Sequence, residues 1–178
     1  MRGMIAVAWI ACAGLAPADE PAPTALRVLT YNIHHGEGTD GKLDLARVAG
    51  VVKAARPLPG KAGQEARVVM RATVEPGAGW PVLTVLNTHF QHDDGPTREA
   101  QAARLNELFG TADGAFVLGG DLNAAPGSAP VRALQKHWAF ATEAGGKGLL
   151  TIPSDVPRQQ IDYVLYRPAA AFRVVEAR

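Results

Sequence analysis

The run Ala115-Phe116-Val117-Leu118-Gly119, followed by Gly120-Asp121-Leu122-Asn123, is the feature that most restricts what this chain can fold into. A short continuous apolar run bounded by glycine fits a strand buried on both faces. This one ends by presenting an acid and an amide two positions apart. Residues so spaced on an extended backbone point to the same side, so both polar groups can face one ligand. The arrangement occurs twice more. Leu29-Thr30-Tyr31-Asn32-Ile33 ends a strand pattern in an amide, and Val85-Leu86-Asn87-Thr88-His89-Phe90 ends one in a histidine. Apolar strands that finish in Asn, His and Asp describe a site assembled along one rim of a sheet.

The chain has 178 residues, enough for one domain with a substantial core. Its formal charge of +1 forms no basic stripe of the kind nucleic-acid binders carry, so charge gives no argument for such a partner. Met1-Arg2-Gly3, the apolar run Met4 to Leu15 and the small residues Ala16-Pro17-Ala18 read as a secretory signal peptide over residues 1–18. That apolar run is too short to span a bilayer as a helix, so no transmembrane segment is expected. A secreted or periplasmic location follows. The single cysteine, Cys12, falls inside the leader, so the mature chain needs neither a disulfide nor a thiolate metal site. Residues 19–25 form a Pro/Ala-rich linker, and one domain covers 26–178.

Within that domain the patterns predict strands over 26–33, 67–74, 82–88, 160–166 and 171–175, besides the Ala115 strand. Leu43, Leu45, Val48, Val51 and Val52 recur at helical spacing and predict an amphipathic helix over 44–55, closed by Pro57 and Pro59. Thr97 caps a second helix reaching Phe109, and Pro130 opens a short one to Lys136. Strands outnumber helices, and some neighbours have no crossover helix between them. The fold class is a mixed α/β sandwich.

Four segments in order, TYNIHHG from Thr30, NTHF from Asn87, GDLNAAPGS from Gly120 and QIDYVLY from Gln160, resemble the endonuclease/exonuclease/phosphatase superfamily. These are metal-dependent phosphoesterases related to DNase I and the sphingomyelinases. The resemblance implies a DNase I-like four-layered α/β sandwich, in which two mixed β-sheets are flanked by helices. It implies a phosphate-ester substrate (nucleic acid, lipid or small molecule), no stable protein partner, and Mg²⁺ or Mn²⁺ as cofactor. It also assigns roles. Asn32 and Asp121 hold the metal, and Asp121 orients the attacking water. His89 donates to a phosphate oxygen, Asn123 contacts the phosphate, and Asp162 orients a further histidine.

Two parts of the family pattern are absent from these 178 residues. After Pro57 the family carries a strand of the type DVVALQE, whose glutamate binds the metal, whereas here Leu58-Pro59-Gly60-Lys61 follows directly. Glu65 in Gln64-Glu65-Ala66-Arg67 lies in the wrong context to replace it. The family also closes with a Ser-Asp-His element, and Phe172 to Arg178 contains none. The expectation is an internally deleted, C-terminally truncated member with weakened metal binding and impaired phosphoesterase activity. The competing expectation is an inactive remnant, a pseudoenzyme or binding module of the same fold.

Other readings are weaker. His34 and His35 fit a solvated loop, as do Glu37 and Asp40. His89 and His92 have zinc-like spacing but lack the helical context and further ligands. Ser128 and Ser154 lack a Gly-x-Ser-x-Gly elbow, and Gly145-Gly146-Lys147-Gly148 lacks the phosphate-loop spacing.

Overall fold

The computed structural model describes residues 5–12, 26–31, 54–75, 81–143, 148–153 and 155–177, the first two stretches as backbone alone. The described strands in chain order are β1 (Ile5–Cys12), β2 (Leu26–Tyr31), β3 (Ala54–Pro57), β4 (Val68–Val74), β5 (Leu83–His89), β6 (Ala115–Asp121), β7 (Ala139–Phe140), β8 (Asp162–Arg167) and β9 (Phe172–Ala177). Helix α1 (Gly95–Phe109) joins β5 to β6, and α2 (Ala129–Gln135) follows β6. A mixed sheet in the order β3-β4-β5-β6-β8-β7 carries most of the core. A smaller sheet has the order β2-β1-β9.

The large sheet is antiparallel except between β5 and β6, which run parallel. A parallel pair needs a crossover, and α1 provides it. Leu105 and Phe109 of α1, with Val131 and Leu134 of α2, pack on one sheet face against Leu86, Phe116, Leu118, Tyr163 and Leu165. Leu83, Val117, Val164 and Phe172 build a second cluster, and Val174 of β9 packs against it. Phe116 and Leu118 belong to the first cluster, Ala115 and Val117 to the second. Burial on both faces is why the β6 sequence is a continuous apolar run and not an alternating one.

Loop anchors come from α1. Gln101 is fully buried, yet its amide is satisfied: Oε1 accepts from Gln91 N–H at 2.8 Å, and Nε2 donates to the Pro59 carbonyl at 2.8 Å. Arg98 Nη1 donates to the carbonyls of Gln91 and His92, both at 3.0 Å. The segment that follows β5 is therefore fastened to the helix, and the 58–61 loop is tied to the same place.

Several boundaries differ from the sequence reading. Ala54 and Ala55 belong to β3, where they pair with Arg71 and Met70, so the helix read over 44–55 does not extend to them. Residues 44–53 lie outside the described residues. The N-cap of α1 is Asp94, whose carboxylate accepts from Thr97 N–H at 2.7 Å. Gly95-Pro96 therefore falls inside the helix, in the first turn, where proline's missing N–H has no partner to lose. Ile5–Cys12, inside the segment read as a leader, forms the middle strand of the small sheet. A short apolar run rich in Ile, Val, Ala and Trp has a strand-like composition as much as a leader-like one, and periodicity does not separate the two.

Gly120 has a φ of 155°, and a Cβ built on it would stand 2.0 Å from the Thr88 carbonyl oxygen of β5. Only glycine permits that approach. Gly120→Ala is expected to destabilise the domain by about 3 kcal/mol, since both the backbone conformation and the contact with rigid main chain must change. Urea unfolding measures the difference, and a loss below about 1 kcal/mol would mean that β5 and β6 separate easily there.

Candidate functional site

The parallel register of β5 and β6 sets His89 directly beside Asp121. The antiparallel register of β6 and β8 sets Asp121 beside Asp162. One residue from the end of each of three adjacent strands therefore lines up across the sheet. By strand alternation the three side chains leave on the face that carries Leu83, Val117 and Val164, away from α1 and α2. The small sheet borders that same face through Val174.

His89 Nε2 lies 3.5 Å from Asp121 Oδ2, with the histidine side chain 39% exposed and the carboxylate 11% exposed. The other Asp121 oxygen, Oδ1, accepts from Asn123 N–H at 2.8 Å. Asn123 adopts a φ of 47°, a left-handed conformation that asparagine tolerates better than most residues. That turn brings its side chain back over the end of β5, where Nδ2 donates to the Phe90 carbonyl at 3.0 Å. Phe90 N–H in turn donates to the Asp121 carbonyl at 2.9 Å. Asn123 thus clips the two strand ends together and keeps one amide hydrogen and its Oδ1 for other partners.

Asp162 is an acid of raised proton affinity. Burial pushes its carboxyl up to about 6, the neighbouring Asp121 charge adds to the rise, and a hydrogen bond from the Thr151 hydroxyl opposes it. Next along β8, the buried Tyr163 hydroxyl donates to the Ala124 carbonyl at 2.8 Å and anchors the segment that follows Asn123.

His89, Asp121, Asn123 and Asp162 are therefore brought together, as their strand-end positions imply. Asn32 lies outside the described residues. Glu65 pairs with the nearly buried Arg67, Oε2 to Nη2 at 2.9 Å, and the Arg67 Nε contacts Gln91 Oε1 at 3.4 Å. Ser128 Oγ donates to the Ala125 carbonyl, which is a turn contact. Two positions escaped the sequence reading. Gly120 stands inside the GDLN motif, where it reads as punctuation until the Thr88 contact is seen. Thr151 belongs to a Pro-flanked loop segment, and nothing near it in sequence points to Asp162.

A divalent magnesium site needs several oxygen ligands in octahedral array. Among the described residues no group of three or more His, Cys, Asp or Glu side chains could hold a metal ion. Asp121 has one oxygen committed to a backbone N–H and the other turned to His89, and burial disfavours the charged form of Asp162. The described residues alone do not fit the cation. What they do offer is a histidine that can donate a proton or a hydrogen bond, an adjacent carboxylate that can orient it or a water, and a second acid of raised proton affinity.

Residues 58–178 match the sequence model of the Endonuclease/Exonuclease/phosphatase family. No curated protein sequence matches the chain significantly. Among solved structures it is similar to a functionally unknown conserved protein from Enterococcus faecalis, at 16% identity and a TM-score of 0.53 over 65% of this chain and 54% of that one. An endonuclease/exonuclease/phosphatase family protein from Bacteroides thetaiotaomicron aligns at 15% identity and a TM-score of 0.51, over 66% of this chain and 51% of that one. A mannosyl-6-phosphatase from the same organism aligns at 14% identity and a TM-score of 0.51, over 90% of this chain and 63% of that one. Likeness at such identities shows the fold alone. The chain spans between 51% and 63% of the length of these three proteins.

The raised proton affinity of Asp162 has a consequence for stability. Its carboxyl titrates near 6 in the folded chain against 3.8 for an unperturbed aspartate, so the native state binds the proton more tightly. The contribution to stability is fully present below 3.8 and is lost as pH rises through 6. Asp162→Asn is expected to raise the Tm at neutral pH and to lose that advantage once the pH falls below 3.8. A Tm difference that stayed constant across this window would contradict the burial argument.

Proposed function

This chain belongs to the endonuclease/exonuclease/phosphatase family, and on that footing we propose that it is a phosphoesterase of low turnover, acting on a phosphate monoester or diester. The observation that carries this reading is the alignment of His89, Asp121 and Asp162 at the ends of adjacent strands. Ligands of open α/β sheets bind at such strand ends. We infer further that the large and small sheets are the two halves of a four-layered sandwich, with the site at one rim between them.

In this reading His89 donates to a non-bridging phosphate oxygen as negative charge builds there, which stabilises the pentacovalent transition state. Asp121, 3.5 Å from His89 Nε2, keeps the imidazole oriented and presents the same carboxylate to the attacking water. Asn123, with an amide hydrogen still free after its bond to Phe90, contacts the phosphate. Asp162 holds or releases a proton beside Asp121. In the family a divalent cation neutralises the phosphate; among the described residues no carboxylate cluster for it is assembled. An inactive binding module of the same fold is the alternative reading.

The N-terminal eighteen residues support a second proposal, export followed by cleavage after Ala18. Such cleavage would remove β1, the strand shared by β2 and β9, so those two would have to find new pairing. N-terminal sequencing of exported protein distinguishes the leader from a retained strand.

Hydrolysis of bis-p-nitrophenyl phosphate and of a sugar phosphate, each with Mg²⁺ or Mn²⁺, tests the phosphoesterase reading. Slow turnover is expected, reduced about a hundredfold by His89→Ala. Calorimetric titration with either cation is expected to show only weak binding. Absence of turnover on both substrates would leave the inactive module as the better reading, whereas micromolar binding abolished by Glu65→Gln would identify Glu65 as a ligand.

A further inference from the structure

On the face of β5 that carries His89, the side chains run Leu83, Val85, Asn87 and His89. Polar character therefore begins at Asn87, one layer before the strand ends. On β6 and β8 it begins only with Asp121 and Asp162, because the layer behind them holds Gly119 and Val164. The registers set Met70, Asn87, Gly119 and Val164 side by side, directly behind the row of His89, Asp121 and Asp162. Of these four, only Asn87 carries a strong hydrogen-bonding group.

Its neighbours cannot satisfy it. Met70 offers a thioether, Val164 hydrocarbon, and Gly119 no side chain at all. The nearby Asp121 carboxylate is engaged, with Oδ1 accepting from Asn123 N–H at 2.8 Å and Oδ2 turned to His89. Among the described residues the half-buried Asn87 carboxamide makes no hydrogen bond. An amide without a partner on the face of an apolar strand costs stability, and hydrocarbon would suit the place between Met70 and Gly119 better. What Asn87 does have is a position on the same face as His89, about 7 Å back along the strand. A tetrahedral phosphate that accepts from a donor at each end spans such a distance, since each N–H···O bond adds about 3 Å.

We propose that Asn87 is a phosphate-binding residue, whose amide N–H groups meet a phosphate oxygen from the sheet side while His89 and Asn123 meet others at the rim. The inference deepens the phosphoesterase reading and rests on it for the place of the phosphate.

The experiment titrates the full chain with inorganic phosphate at one fixed pH and follows it by nitrogen-15 NMR. The side-chain NH₂ signals of Asn87 should shift saturably, with the same midpoint as those of Asn123. Asn87→Leu removes both donors and supplies hydrocarbon to an apolar row, so its Tm should be no lower than that of the unaltered chain. Its Kd for phosphate should rise about tenfold. In the bis-p-nitrophenyl phosphate assay KM should rise by a similar factor with kcat little changed, because this donor serves the ground and transition states alike. Asn87 signals that stay in place while those of Asn123 move overturn the proposal and leave the phosphoesterase reading standing. An Asn87→Leu variant that keeps its affinity for phosphate overturns it too. Should that variant not fold, the signals of the unaltered chain decide alone. A site in which no signal moves with phosphate also overturns the proposal. If Asn87 and Asn123 respond as stated while neither the phosphodiester nor a sugar phosphate is hydrolysed, Asn87 remains a phosphate-binding residue and the phosphoesterase reading is the one that fails.

Discussion

The site depends on one contact between main chains. At Gly120 the β6 backbone comes so close to the Thr88 carbonyl of β5 that no side chain fits between them. This approach holds the two parallel strands in the register that puts His89 beside Asp121. The clip made by Asn123 and Phe90 then closes the strand ends just beyond it. His89 needs no long loop to bring it to the acid. It is delivered by the sheet, whose interior is the apolar packing of Leu86, Phe116, Leu118 and Leu165. Placement by strands gives tighter tolerances than placement by loops, and a donor that must meet a phosphate oxygen needs those tolerances.

The same compactness works against the fold at Asp162. Two carboxylates on neighbouring strands repel, and burial disfavours charge on Asp162. A chain selected for stability alone would carry an amide or an apolar side chain there. Nothing in the packing of β8 asks for an acid, since Tyr163, Val164 and Leu165 supply its core contacts. A destabilising acid kept beside a second acid and a histidine points to chemistry more than to architecture. The Thr151 hydroxyl limits the penalty without removing it.

How far all this was legible in the sequence depended on the range of the interaction concerned. The β6 run and its Asp121-Leu122-Asn123 ending could be read because burial on both faces and alternation are properties of consecutive residues. The same holds for β4, β5, β8 and β9, each predicted within two residues of its observed ends. The cap of α1 lies three positions before the residue the sequence suggests, because Thr97 and Asp94 are both good caps and only the fold shows that the Asp94 carboxylate takes the Thr97 N–H. The edge strand β3 was invisible: Ala-Ala-Arg-Pro has no alternation and acquires strand geometry only from pairing with β4. Thr151 and the contact behind Gly120 were hidden for the same reason. Each is a relation between segments distant in sequence, and neither segment carries a local sign of the other.

The arrangement of Glu65 bears on whether this family scaffold can recruit a substitute carboxylate for its cation. Glu65 is paired with Arg67, and Arg67 is almost fully buried and also touches Gln91. Freeing Glu65 would leave a buried guanidinium short of its counter-charge, and breaking a largely desolvated pair from one side is more costly than removing an exposed one. Gln91 is itself tied to Gln101 through its backbone N–H and to Asp93 through its side-chain amide, so the arginine has little room to follow. The network that secures the loop after His89 therefore draws Glu65 into structural service. A carboxylate completing a cation site beside Asp121 would meet less resistance coming from another part of the chain than from Glu65.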